Sequence, residues 1–166
     1  DLVKRPGFPI ATLPVVAVGS QMMHFVYAFP VLLAFLLVQG IELTITVFLF
    51  PLVLAIQFMF TLALSYLCAA MHLAFRDTQH LLGIFLQMLF FMTPIFYKSE
   101  IIPAEFQTFY QLNPIVHLVE GYRAIFVIQT LPDLFALAVL SVLSVVLLFS
   151  GYAFYSKVTP TFVEEL

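Results

Sequence analysis

The sequence predicts an all-α integral membrane protein: four transmembrane helices, with a re-entrant or interfacial helix pair between the third and the fourth. Three observations predict it. Hydrophobic residues make up 63% of the 166 residues and charged residues only 9%, against roughly 45–50% and about 25% in soluble domains, and the mean hydropathy is +1.12. No Lys, Arg, Asp or Glu occurs between Arg5 and Glu42, Glu42 and Arg76, Asp77 and Lys98, or Asp133 and Lys157, and each gap holds the about 20 apolar residues a span requires. The remaining stretch, 99–129, mixes charge with helix-start signals and does not reach across. A buried soluble core is excluded because four such gaps leave too little polar sequence to cover it.

The elements follow in order within a single transmembrane domain, 1–166. Span one covers about 13–38; Pro9 and Pro14 set its start, and Pro30 inside it removes one amide donor and predicts a kink. Gln39 to Glu42, "QGIE", is a tight turn. Span two, about 43–75, is longer than a bilayer needs and should tilt or protrude; "FRDTQH" then makes a short polar loop. Span three, about 81–97, carries Pro94 near its far end. The next segment offers Ser99 as a cap, Pro103 in a first turn, and Ile102, Phe106, Phe109 and Tyr110 at helical spacing, predicting a short amphipathic helix over about 102–111. Asn113 as N-cap with Pro114 at the first helical position starts a second, about 114–129. The last span, about 133–154, follows "LPD", and "YSKVTPTFVEEL" reads as a polar tail.

Charge placement sets an expected orientation. Lys4, Arg5, Arg76 and Lys157 fall on the side of the termini, and Lys98 and Arg123 on the other, which predicts cytoplasmic termini. With a net charge of −3 and no Lys/Arg run, the chain carries no signal for nucleic acid. Cys68 is the only cysteine and excludes an internal disulfide. The glycines, at 7, 19, 40, 83, 121 and 151, are too dispersed for a phosphate loop, so no nucleotide hydrolysis is expected of this chain. Ser20, Ser65, Ser141 and Ser144 lie in apolar surroundings and read as helix-packing residues, and the isolated His24, His72 and His80 as structural or interfacial. No catalytic residue is assigned. The chain opens on Asp1, without the features of a signal peptide, and reads as a fragment.

The polar exception is "HLVEGYR". His117, Glu120 and Arg123 lie within seven positions, and on a helix starting at Asn113 they share a face. Two ligands from HxxE do not fill a zinc shell, and no second cluster accompanies them, so no metal is expected. The group reads either as an ion pair fixing the helix at the membrane surface or as a polar gate or substrate contact facing a wet cavity. A membrane glycosyltransferase using His117 and Glu120 as acid and base is the rival from another class. The second signal is aromatic: 20 Phe, 7 Tyr and no Trp. Phe90, Phe91, Phe96, Tyr97, Phe106, Phe109 and Tyr110 cluster densely, and aromatic faces stack on the apolar faces of sugar rings.

The order "FRDTQHLL", "LQMLFFMTPIFY", "IIP", "LNP", "EGYRAI" and a last span with a short tail resembles the permease subunit of ABC-2 type polysaccharide exporters, which move lipid-linked O-antigen, capsule or teichoic acid across the bacterial inner membrane. The resemblance implies that the chain is the C-terminal part of a six-span permease, without an interfacial helix and two spans. It implies gate helices on the external side, with Tyr97, Glu100, Asn113, His117, Glu120 and Arg123 at the exit of the path and the aromatic set along it. Arg76 and Asp77 would position the membrane domain against the ATPase. The implied assembly is two permease copies and two ATP-binding subunits in membrane lipid; ATP and Mg belong to the partner, and this chain binds no cofactor. An ABC-2 exporter of a small hydrophobic drug or lipid has the same spans. The tail, with Lys157 its only basic residue and "TFVEEL" a loose match, departs from the family pattern.

Overall fold

The computed structural model of the chain describes residues 10–41, 44–75, 77–95 and 103–163, with the side chains at 104, 109 and 160–163 outside that description. Every regular element among the described residues is helical: α1 (Thr12–Val38), α2 (Phe50–Ala74), α3 (Thr78–Met92), α4 (Gln107–Leu112), α5 (Pro114–Arg123) and α6 (Leu134–Val163). The ends of α1 and α6 that approach Ile10 define the near end of the bundle; the turn after α1 defines the far end.

α1 runs from the near end through Pro30 without interruption. It stops where Gly40 adopts φ 75. Gly40 N–H donates to Leu37 O and Ile41 N–H to Leu36 O, 3.0 Å each, which satisfies carbonyls that a helix end would orphan. Leu36 and Ile41 both join the apolar core there, so the turn is fixed by packing as well. A 3₁₀ turn, Ile45–Leu49, leads into α2, whose Pro51 occupies the first turn, where no amide donor is needed.

α2 and α6 run parallel and form the central post. Val53 of α2 lies near Leu137 of α6 around Gly121, and farther along Gly151 meets Ala63, Tyr66 and Leu67. A Cβ added at Gly151 would stand 3.1 Å from the Ala63 carbonyl, tighter than ordinary contact, so glycine lets the two helices approach this closely. Ser144, fully buried, returns its hydroxyl to Leu140 O at 2.7 Å and so packs as a small residue. At the near end Tyr66 and Tyr155 pack together and donate to Ala11 O and Ile10 O, drawing the start of α1 onto the post. At the far end Phe29 and Phe50 stack at 4.0 Å, and Phe126 meets both edge-on.

Among the described residues three segments are long and apolar enough to cross a membrane: α1, α2 with its 3₁₀ lead-in, and α6. Three boundaries differ from the sequence expectation, each for a local reason. The third expected span, 81–97, is represented by the 15-residue α3, about 22 Å long against a hydrocarbon core of roughly 30 Å. It starts earlier because the polar Asp77–His80 stretch is helical: the Asp77 carbonyl accepts from His80 and Leu81, and the Thr78 hydroxyl donates back to Phe75 O. It stops at Met92 because Thr93, extended at φ −95 and ψ 133, precedes Pro94. α6 continues to Val163, past the expected 154, since hydropathy marks where a membrane can end and not where a helix must; Thr159 donates to Tyr155 O within it. The 102–111 helix is a 3₁₀ turn, Ala104–Phe106, followed by α4, and the 114–129 helix is α5 plus a π-helical turn, Ala124–Ile128.

Candidate functional site: a polar latch between α3 and the α4–α5 hairpin

Asn113 organises the site. Its Oδ1 accepts from Ile115 N–H at 3.0 Å, capping α5, and that role turns its Nδ2 toward Thr93, whose hydroxyl oxygen accepts at 3.2 Å. Thr93 in turn donates to Leu89 O at 2.7 Å. One turn beyond Glu120, Arg123 reaches across to the same segment after α3 and donates from Nη2 to Pro94 O at 2.7 Å. Thr93 and Pro94 are both buried, so these two bonds close over the end of α3.

Within the hairpin, Tyr110 of α4 donates to Glu120 Oε1 at 3.2 Å. His117 Nε2 stands 2.8 Å from Gln111 O; a carbonyl only accepts, so Nε2 carries the proton. The polar side of the hairpin therefore faces α4 and the end of α3, while its apolar side, Val116, Leu118 and Gly121, is buried against the post.

Three further polar contacts tie α5 and the π turn after it to α2 and the segment that leads into it. The Tyr122 hydroxyl donates to Gln57 Oε1 beside the aromatic nest of Phe25, Phe50 and Phe126. Burial pushes the Tyr122 phenol above its ordinary range, so it stays a protonated donor. At the far end Thr46 Oγ1 donates to Ile125 O at 3.2 Å and Thr44 Oγ1 to Gln129 Oε1 at 3.1 Å. These clasp the π turn, which ends at Gln129 in the left-handed conformation, φ 60. Such turns recur where a helix carries function.

The structure thus brings Asn113, His117, Glu120, Arg123 and Tyr110 into one hairpin, with His117 and Glu120 engaging different partners. Tyr97, Glu100, Phe96 and Arg76 lie outside the described residues, as does the Phe109 side chain. Phe90 and Phe91 sit exposed near the end of α3, edge to face at 5.6 Å, and Phe106 is exposed before α4. Asp77 is exposed at the start of α3. No group of three or more His, Cys, Asp or Glu able to hold a metal occurs among the described residues. Sequence reasoning missed Thr93, Pro94, Gln57, Tyr122 and Thr46. A readable signal existed for three of them: Gln57 is a lone amide inside the apolar "LAIQFMF", and Thr93–Pro94 interrupts a helical pattern.

The model of a known family, ABC-2 type transporter, matches residues 3–127, which take in α1 to α5 and hence the whole latch. The chain is 37% identical over its full length to the O-antigen export system permease protein RfbA of Myxococcus xanthus, covering 65% of that protein. Two proteins of the same name from Klebsiella pneumoniae are 28% and 27% identical over the full chain, which covers 64% of each. The chain therefore spans just under two thirds of the length of the curated relatives it matches.

Proposed function

The chain belongs to the ABC-2 type transporter family, and from that premise we propose that it is part of the membrane permease of an ATP-driven exporter of lipid-linked polysaccharide, of the O-antigen kind. The observation that carries this reading is full-length similarity to permeases named for O-antigen export. The latch supports it: a polar hairpin closing one end of an otherwise apolar helix bundle suits a path that must open for a hydrated chain and then seal. The energy comes from a separate ATP-binding subunit, which holds ATP and Mg, and two permease copies enclose the polymer between them. Phe90, Phe91 and Phe106, with Phe96, Phe109 and Tyr97, give the polymer aromatic faces on which sugar rings slide. Arg76 and Asp77, just ahead of α3 in the sequence, meet the ATPase. The protein lies in the bacterial inner membrane with the near end cytoplasmic, and Glu100, Asn113, His117, Glu120 and Arg123 stand at the exit.

A membrane enzyme is disfavoured by the engagement of the candidate acid and base: Glu120 accepts from Tyr110, and the His117 proton is committed to Gln111 O. The test is complementation of a strain lacking the full-length permease, with its ATPase present. Replacing both Glu120 and Arg123 by Ala is expected to deplete surface polymer while lipid-linked polymer accumulates inside. Unchanged surface polymer together with an unchanged membrane leak would remove the pair from the mechanism.

A further inference from the structure

We propose that the moving part of the exit gate is the far end of α3, positioned by Thr93 and Pro94, and that α5 is the fixed frame it closes against. The inference rests on the exporter reading and assigns the motion within it.

The two joints of α5 are of different kinds. On its post side, α5 is packed: Val116 is fully buried, Ile125 in the π turn after it nearly so, and Gly121 faces Val53 and Leu137, which an added Cβ would meet at ordinary contact distance. That interface engages both α2 and α6 and is tied at its C-terminal end by Tyr122 on Gln57 and Thr46 on Ile125 O. Separating it would strip close-packed contacts along the length of α5. On its other side, α5 meets the end of α3 through Asn113 on Thr93 and Arg123 on Pro94 O. Each of these is a hydrogen bond that water can replace once the path opens, whereas the close-packed contacts on the post side have no such substitute.

α3 is built to move about its near end. Thr78 is its only buried residue, and that hydroxyl is tied to Phe75 O at 2.6 Å and Met71 O at 3.1 Å, which hold the helix start to the end of α2. From there a rigid helix of 15 residues leads to the latch. Thr93 is already extended and Pro94 offers no amide donor, so the latch can release without unwinding a helical turn. A displacement at the Asp77–Thr78 helix start would therefore be delivered, enlarged by the length of the rod, to Thr93 and Pro94.

Two crosslinks separate the joints, made in the full-length permease with its ATPase and with Cys68→Ala as background. Thr93→Cys with Asn113→Cys, joined by a short reducible bis-thiosulfonate linker, is expected to abolish polymer export, and a reducing agent to restore it. Gln57→Cys with Tyr122→Cys, joined in the same way, is expected to leave export intact. Export that survives the first crosslink, or is lost on the second, overturns the proposal. Absence of surface polymer from the unlinked, unmutated protein would instead refute the exporter reading. A shape-preserving pair gives a readout that a packing role would not move: Thr93→Val should make the resting permease leak small ions, and Thr93→Ser should stay tight. Equal tightness of both sinks the latch.

Discussion

The α2–α6 post and the α3–α5 segment are built from opposite materials. The post is two long parallel helices brought together at Gly151 and Ala63, with Ser144 folded back on its own backbone and tyrosines only at the near end. The α3–α5 segment is short helices joined by a 3₁₀ turn, a π turn and an extended Thr93, and its parts are connected by side-chain hydrogen bonds. In a bilayer, apolar helices gain nothing by hiding from water, so a permanent contact must come from close approach. A reversible one must come from groups that water can replace. The difference teaches which part of the molecule can change without the rest coming apart.

The comparison breaks most readily at the post. Gly151→Leu puts a side chain where a bare Cβ already meets a carbonyl at 3.1 Å and Leu67 at 3.2 Å. The expected cost is about 3 kcal/mol, seen as loss of the folded fraction in detergent; a melting temperature equal to that of the unmutated protein would mean the post is not the rigid element. A smaller effect sharpens the latch. Asn113→Ala removes a cap and a cross-link together, about 1–2 kcal/mol, whereas Asn113→Asp keeps the acceptor for Ile115 N–H and loses only the donor to Thr93. Asp should therefore retain most of the thermal stability yet leak ions like Ala, and a tight Asp variant would separate stability from sealing in the wrong direction.

The smallest effect is expected at Tyr122. Tyr122→Phe leaves the Gln57 acceptor without this donor and should lower stability by about 1 kcal/mol, with export retained because that joint stays closed. The same phenol sets a pH dependence. Its folded value is raised by burial, so its contribution is complete below the ordinary phenol value of about 10 and declines as pH rises above it. Thermal melts of the two proteins should converge in that alkaline window; parallel curves throughout would show that Tyr122 does not remain the neutral donor.

Much of this was legible in the chain where chemistry is local. "NP" at 113–114 announced its cap because Asn and Pro each do one thing at a helix start, and the charge-free gaps announced helices because hydropathy integrates over many residues. The start of α3 was not legible, since Thr78, Gln79 and His80 read as a loop until Thr78 is seen returning its hydroxyl to Phe75 O. For the latch, the sequence named Asn113 and Arg123 but not their partners. Thr93 and Pro94 lie 20 and 29 residues away from them, and no pattern within one helix encodes such a pairing. Tyr122 and Gln57, 65 residues apart, were silent for the same reason.

The parallel post also constrains how the protein is made. Parallel helices cannot be neighbours through a tight turn, and α6 begins at Leu134, 60 residues after α2 ends at Ala74. At roughly 5–20 residues per second, α2 waits about 3–12 seconds for its partner to leave the ribosome. α1 and α2, joined by the Gly40 turn, can pair at once, but the face of α2 that carries Ala63 stays open to lipid, chaperones and proteases throughout that interval. Synthesis stalled between 75 and 133 would leave an inserted hairpin with its main contact unmade, a half-built bundle that membrane quality control can recognise by that one bare face.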